Sequence, residues 1–201
     1  MILSPSFYRQ EDVVQIARSL LGKVLVTKVE GSYTSGIIVE TEAYEGITDK
    51  ASHAFGGRRT SRTEIMYENG GVAYVYLCYG IHHLFNVITH TKGVPHAVLI
   101  RAIEPLKGLE IMLKRRHKLL LKPTLTNGPG VLSQALGITT KLNGKSLQGA
   151  DLFIEDIGIS LLPENIVATT RVGVAYAGKD ALLPYRFYIQ GNAFVGKAKG
   201  L

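Results

Sequence analysis

Two pairs of β-rich runs in this chain are each joined by a turn of only a few residues. The runs with their turns are Lys23–Val29, Glu30-Gly31-Ser32 and Tyr33–Tyr44 in the first pair, and Val72–Tyr79, Gly80 and Ile81–Thr89 in the second. Parallel strands need a crossover of a dozen or more residues, so turns this short can join only antiparallel neighbours. The sequence therefore predicts a largely antiparallel β-sheet built around two hairpins.

Helical patterns and further β-rich runs follow one another along the rest of the chain. Apolar residues at helical spacing predict two helices, at Glu11–Gly22 and Leu106–Lys118. The segment Asn127-Gly128-Pro129-Gly130 predicts the start of a third, short helix that runs through Leu136. Further strands are predicted at His96–Ile103, Ile166–Ala175 and Tyr185–Ile189. Because neither a repeat nor a linker interrupts the chain, we expect a single α+β domain over residues 1–201, with a curved sheet flanked by helices.

The stretch Glu45–Gly71 has no strong periodicity of either kind and contains five glycines. A connection of this length in a compact domain is usually functional or disordered. Ser61 and Glu64 have the spacing of a capping box, and Gly70-Gly71 can end a helix, so we expect a short helix between them. The same stretch carries three candidate contacts for nucleic-acid phosphates, Arg58, Arg59 and Arg62.

Charge and cysteine content narrow the choice of partner and compartment. Lys and Arg number 23 against 16 Asp and Glu, which leaves a net charge of +7 and makes a polyanionic partner plausible. The single cysteine, Cys78, cannot form an internal disulfide. No apolar run approaches the ~18 residues of a membrane helix, and Met1–Phe7 lacks the features of an export signal. We therefore expect an intracellular, cytoplasmic protein that contacts no membrane.

Two carboxylates share one face of the run Tyr33–Tyr44. Strict alternation places Glu40, Glu42 and Tyr44 on that face, and the other face holds Ile37, Val39, Thr41 and Ala43. One interpretation is a solvated sheet face on which both carboxylates pair with arginines. Carboxylates two residues apart on a strand also lie about 7 Å apart, within the range used by hydrolases, so a small hydrolase stays open.

The second hairpin is rich in tyrosine. Alternation puts Tyr74 and Tyr76 on one face, and Tyr79 lies at the tip beside Gly80. Tyrosines in strands usually pack against neighbours. An aromatic side chain at a protruding tip of a basic protein is also suited to wedge into a base stack and fill the space of an extruded nucleotide. A non-catalytic nucleic-acid-binding module would use the same features without needing Glu42.

Four histidines are crowded around the second hairpin, His82, His83, His90 and His96. Adjacent histidines on a strand point to opposite faces, and no cysteine accompanies them in a zinc-binding pattern. We expect them to be exposed or phosphate-facing beside the hairpin tip. No metal and no cofactor are expected.

Segments spread in order over most of the chain closely resemble the alkyladenine (3-methyladenine) DNA glycosylase family. They are Val39–Tyr44, Ala51-Ser52-His53, Gly57–Thr60, Tyr74–Gly80, Asn86, Leu99–Pro105, Asn127-Gly128-Pro129, Arg171–Val174 and Arg186-Phe187-Tyr188. An ordered series of matches is far more specific than any one of them. The chain departs from the family around Glu45–Lys50 and before Gly70-Gly71, which bears on substrate breadth more than on reaction type.

The resemblance implies a role for each matched position. Glu42 matches the general base that activates the attacking water, and Arg101 matches the arginine that helps to hold that water. The residues that form the walls of the family's base pocket are matched by Tyr44, His53 and Tyr76. The residue at the floor of that pocket is matched by Asn86. Tyr79 matches the residue that intercalates into DNA.

The resemblance also implies a reaction. The protein is expected to flip alkylated or deaminated purines out of double-stranded DNA and to hydrolyse their N-glycosidic bond, leaving an abasic site. No lysine lies in the matched pocket segments, so a lyase that forms a Schiff base is not expected. A monomer is expected, associated with the nucleoid if the source is bacterial. The order of preference among 3-methyladenine, 7-methylguanine, hypoxanthine and etheno-adenine as substrates stays open.

Overall fold

Eight strands form one open antiparallel sheet in the computed structural model, which describes residues 1–198, 200 and 201. The strands are β1 (Val24–Val29), β2 (Ser32–Tyr44), β3 (Ala73–Cys78), β4 (His82–Thr89), β5 (His96–Lys107), β6 (Leu152–Glu155), β7 (Ile166–Thr169) and β8 (Arg186–Ile189). Their order is β3-β4-β5-β2-β1-β6, and β8 lies between β2 and β7. The predicted α+β fold with a largely antiparallel sheet is confirmed.

The long strand β2 organises the sheet because it pairs with three partners. β5 lies along one edge of β2, while β1 and β8 share the other edge, β1 beside the first half and β8 beside residues 40–42. The turn from β1 into β2 is Glu30-Gly31, and both residues have positive φ, 53° and 72°. Positive φ at both central residues defines the type I′ turn that matches the twist of a hairpin.

A β-bulge in β2 changes which side chains share a face. The register with β5 shifts between Ile38 and Glu40, so one extra residue stands on β2 there. As a result Ile37 packs on one side of the sheet with Val24 and Phe153, while Ala43 belongs to the main core. The predicted common face of Ile37, Val39, Thr41 and Ala43 is wrong, because alternation is interrupted at the bulge.

Four short α-helices cover the sheet: α1 (Pro5–Tyr8), α2 (Val13–Ser19), α3 (Leu109–Arg115) and α4 (Pro129–Leu136). Asp12 caps α2, since its Oδ1 accepts hydrogen bonds from the backbone N–H groups of Val14 at 2.8 Å and Gln15 at 3.0 Å. The main core lies between these helices and the sheet, with Ile16, Ile100 and Leu132 fully buried.

Some predicted boundaries differ from the structure. β5 continues to Lys107, so α3 begins only at Leu109. β7 ends at Thr169 rather than at Ala175, because Arg171 turns into the interior. Neither α1 nor β6, each four residues long, was predicted. In the described chain, none of the helices is both long and apolar enough to cross a membrane.

The connection between β2 and β3 is ordered by short 3-10 helices, at Phe55–Gly57 and Glu64–Tyr67. The predicted capping box at Ser61 is wrong. Thr63, not Ser61, precedes the second helix, and its hydroxyl donates to the carbonyl of Arg58 at 3.0 Å. This bond ties the connection back on itself.

Candidate active site

A cavity of about 680 Å³ opens between the β3–β4 hairpin and the centre of the sheet. Its walls come from β2, β5, the loop at Ala51-Ser52-His53, the start of α4 and the segment after β7. Eight of the ten residues that were assigned a role in the predicted site or in DNA contact line it together: Glu42, Tyr44, His53, Arg62, Tyr76, Tyr79, Asn86 and Arg101. The other two, Arg58 and Arg59, are exposed on the connection outside it.

Glu42 is fully buried and lines the cavity, and both of its carboxylate oxygens are held. Oε2 accepts a hydrogen bond from the hydroxyl of Tyr44 at 2.8 Å. Oε1 accepts one from the backbone N–H of Val172 at 2.7 Å and lies 3.2 Å from Nη1 of Arg101. Two hydrogen-bond donors and one ion-pair partner therefore fix the carboxylate in one orientation, which is the preorganisation that a catalytic group requires.

Glu40 is equally buried but has different surroundings. Its Oε1 accepts hydrogen bonds from Nε of Arg101 at 2.8 Å and Nε of Arg186 at 2.7 Å, and its Oε2 accepts one from the N–H of Gly196 at 2.7 Å. Burial lowers the pKa of Arg101, but the nearby carboxylates of Glu42 and Glu40 outweigh it and raise that pKa overall. Glu40 and Glu42 share a face of the sheet, and Arg101 contacts both carboxylates there. That face is buried rather than solvated.

A buried ion pair behind the cavity holds the segment that contributes Val172. Arg171 is fully buried and binds the carboxylate of Asp49 with both terminal nitrogens, one of them at 2.9 Å from Oδ1. The same guanidinium donates to the carbonyl of Ala43 at 2.9 Å and lies 4.8 Å from the ring centroid of Tyr44. Arg171 thereby positions both the wall at Tyr44 and the N–H that binds Glu42.

Three aromatic rings form another part of the cavity wall, those of His53, Tyr74 and Tyr76. The rings of His53 and Tyr76 meet edge to face with centroids 4.7 Å apart, and Tyr74 lies 5.3 Å from Tyr76. His53 Nδ1 and the hydroxyl of Tyr74 share a hydrogen bond of 2.8 Å. Burial, with help from Arg62 and Arg58, lowers the pKa of His53 to about 4, so its imidazole is neutral at physiological pH.

Asn86 is 5% exposed and lines the cavity from β4. Its amide Nδ2 donates to the carbonyl of Tyr74 at 3.1 Å, the residue directly across the hairpin. This bond fixes the orientation of the amide, so Asn86 has a structural contact as well as a place in the cavity.

The hairpin tip projects from the cavity mouth. Cys78 pairs with His82, which leaves Tyr79-Gly80-Ile81 as the loop. Tyr79 is 92% exposed and Ile81 71% exposed. Tyr79 also has a positive φ of 50°, a conformation in which few residues other than glycine and asparagine are found. A large apolar side chain is therefore held out in solvent by a strained turn.

The four histidines do not form one group. His82 and His83 begin β4 beside the tip, but His90 and His96 lie at the other end of β4, where their rings meet at 5.3 Å. The prediction that all four lie beside the tip is wrong, because β4 carries His90 a strand length away. Burial lowers the pKa of His96 to about 4. No cluster of three metal-ligating side chains occurs among the described residues.

Several residues of the site were not singled out from the sequence. Val172 lies in the matched segment Arg171–Val174, but the role of its N–H was not predicted, because any residue except proline supplies such a group. Asp49 lies in a segment without periodicity, and only its burial beside Arg171 shows its importance. Tyr176 stands at the cavity rim, 70% exposed, with its hydroxyl donating to the carbonyl of Ala51 at 3.1 Å.

Comparison with known proteins bears directly on this cavity. The sequence profile described as Methylpurine-DNA glycosylase (MPG) matches residues 6–193, which include every cavity residue described above. The chain belongs to the methylpurine-DNA glycosylase family. A protein of Chlamydia felis is 49% identical over 189 residues, covering 94% of this chain and 96% of the relative.

Two further relatives match over nearly their whole length. The protein of Bacillus cytotoxicus is 48% identical over 206 residues, with 96% of this chain and 98% of the relative covered. That of Desulfitobacterium hafniense is 45% identical over 200 residues, with 96% and 97% covered. All three carry the name "Putative 3-methyladenine DNA glycosylase". Family membership thus agrees with the resemblance drawn from the motifs.

Proposed function

We propose that this protein is a monofunctional DNA glycosylase that flips alkylated or deaminated purines out of duplex DNA and hydrolyses their N-glycosidic bond. One observation carries the proposal: the oriented, fully buried carboxylate of Glu42 lines the same cavity as the aromatic rings. The volume of about 680 Å³ lies within the usual range for small-molecule sites and can hold a purine with its sugar.

The aromatic walls suit a purine whose ring carries positive charge. Stacking and cation–π attraction to tyrosine faces contribute about 0.5 to 2 kcal/mol per contact, and a neutral normal base gains less. Positive charge on the ring also makes the base a better leaving group, because it departs as a neutral molecule. Tyr44 and Tyr76 would form these walls, and the neutral imidazole of His53 would add no competing charge.

Glu42 would act on the sugar side of the bond. As the bond breaks, the sugar gains oxocarbenium character, which a nearby carboxylate stabilises. The same carboxylate takes a proton from water while the water oxygen bonds to the sugar carbon and the purine leaves with the electrons of the broken bond. Arg101, 3.2 Å from Glu42, would help to orient both the carboxylate and the water.

Hydrolysis without strand cleavage is proposed because a lyase needs an amine nucleophile in the site. The described residues that line the cavity include no lysine. A two-carboxylate hydrolase has less support, since Glu40 binds two arginines and is not among the cavity-lining residues described.

Contacts with double-stranded DNA, as distinct from the extruded base, are proposed both at the cavity lining and outside it. Tyr79 would enter the base stack in place of the extruded nucleotide. The exposed arginines Arg58, Arg59 and Arg62 would contact phosphates. At the cavity floor, Asn86 would exclude guanine, whose amino group at C2 is absent from adenine and hypoxanthine.

The matched pair Glu42→Gln and Glu40→Gln tests the proposal. Glu42→Gln should reduce single-turnover release of 7-methylguanine by at least ~10²-fold, the lower end for loss of a general base, and leave the Kd for lesion DNA within a few fold. Glu40→Gln removes a charge that two arginines share, so it should lower the free energy of unfolding while the folded fraction keeps most of its activity.

Two outcomes would contradict this assignment. Undiminished release by Glu42→Gln would remove Glu42 from the mechanism. Binding of lesion DNA by the parent protein with no release of any base would favour the non-catalytic binding module.

A further inference from the structure

Arg62 is an exposed residue, yet it lines the cavity. Its Cζ lies 4.6 Å from the ring centroid of Tyr76, in cation–π contact, and Arg62 is one of the cavity-lining residues. Its positive charge acts on the two neighbouring rings of Tyr74 and His53. Burial raises the pKa of Tyr74 while Arg62 opposes that rise, and Arg62 adds to burial in lowering the pKa of His53. The guanidinium therefore sits among the aromatic walls.

The charge on Arg62 has no carboxylate to balance it among the described residues, where none lies within 4.0 Å of its nitrogens. Arg59, three positions earlier, differs in this respect. It pairs with Glu64 at 3.1 Å and lies 4.0 Å from the ring centroid of Tyr67, outside the cavity. Arg62 is thus held at the cavity lining by neutral aromatic partners such as the ring of Tyr76, and an exposed side chain of this kind can leave it.

We propose that Arg62 is a specificity-determining residue, because its guanidinium competes with the extruded purine for the ring of Tyr76. The inference rests on the proposed function. A purine that enters must displace a cation from an electron-rich ring. A cationic purine restores the lost cation–π contact, whereas a neutral purine does not. Arg62 would therefore make entry into the cavity less favourable for neutral bases than for cationic ones.

The competition has a kinetic consequence at saturating protein concentration. The rate of release is then the fraction of complexes with the base in the cavity, multiplied by the rate of bond cleavage. A cationic purine that already fills the cavity in most complexes gains little when Arg62 is removed. A neutral purine that fills it in few complexes gains in proportion to the lost contact, about two- to fivefold for one exposed cation–π pair.

The test compares Arg62→Gln with its matched control Arg59→Gln. Single-turnover release of hypoxanthine, which is neutral, and of 7-methylguanine, which is cationic, is measured from otherwise identical duplexes at saturating protein. The ratio of hypoxanthine to 7-methylguanine release should rise about two- to fivefold in Arg62→Gln and stay at the parent value in Arg59→Gln. A weakened phosphate contact would change both rates together in either variant and leave the ratio unaffected.

A third variant separates charge from shape. Arg62→Lys keeps a cation beside Tyr76, so its ratio should lie nearer to that of the parent than to that of Arg62→Gln. An unchanged or lowered ratio in Arg62→Gln, or an equal rise in Arg59→Gln, would overturn the role of Arg62. If the parent itself releases neither base, the proposed function fails instead, so the two failures are distinguishable.

Discussion

Replacing Tyr79 with alanine removes an aromatic ring that packs against little of the folded protein. Tyr79 is 92% exposed, so its truncation should change the free energy of unfolding by no more than about 0.5 kcal/mol. If the ring fills the gap left by the extruded nucleotide, its loss should cost the ~1–3 kcal/mol of one base–aromatic stack. The Kd for lesion DNA should then rise about 5- to 150-fold.

Fluorescence anisotropy with a labelled duplex carrying one hypoxanthine measures this change, at one fixed salt concentration because phosphate contacts make affinity salt-dependent. Ile81→Ala is the control, since Ile81 is 71% exposed in the same loop but has no aromatic ring. Tyr79→Phe should retain the parent affinity. An unchanged Kd in Tyr79→Ala, or equal losses in both alanine variants, would refute intercalation by Tyr79.

Two further predictions concern the cavity floor and the buried histidines. Asn86→Ala should raise excision of guanine relative to hypoxanthine, because the amide that opposes the C2 amino group is lost; if Asn86 only supports Tyr74, both rates should fall in proportion. The pKa values of His53 and His96 are lowered to about 4 by burial, aided by neighbouring cations or histidine, so the unfolded chain binds these protons more readily. The free energy of unfolding should therefore fall as pH drops from 6.5 towards 4, by at most ~1.4 kcal/mol per pH unit for each histidine, and urea titrations of His96→Gln should show a shallower fall.

Local patterns predicted much of the fold because hairpins are specified by nearby residues. The short turns at Glu30-Gly31 and around Gly80 specify two antiparallel strand pairs without any long-range contact. The bulge in β2 was not predictable in this way, since alternation continues through it in the sequence. It depends on the register with β5, a partner more than fifty residues away, which local alternation does not report.

The candidate site was predictable where residue type carries the chemistry. Carboxylate, guanidinium and aromatic groups can be identified from the residue type alone. Glu42, Arg101 and Tyr76 do line one cavity, and their roles there stay predictions. The supporting contacts were not predictable. The N–H of Val172 is a backbone group, and its position depends on an ion pair formed across the chain by Arg171. Such support comes from tertiary packing and leaves no local pattern.

Base release by the parent protein tests the account most directly. The protein is incubated with duplexes that each carry one defined altered purine, and free base and strand scission are measured separately, the latter with and without alkali. We expect free base from at least one lesion, with scission only after alkali treatment, because an abasic site is left and no amine attacks the sugar. No release from any lesion would contradict the glycosylase proposal, and scission without alkali would contradict hydrolysis as the only reaction.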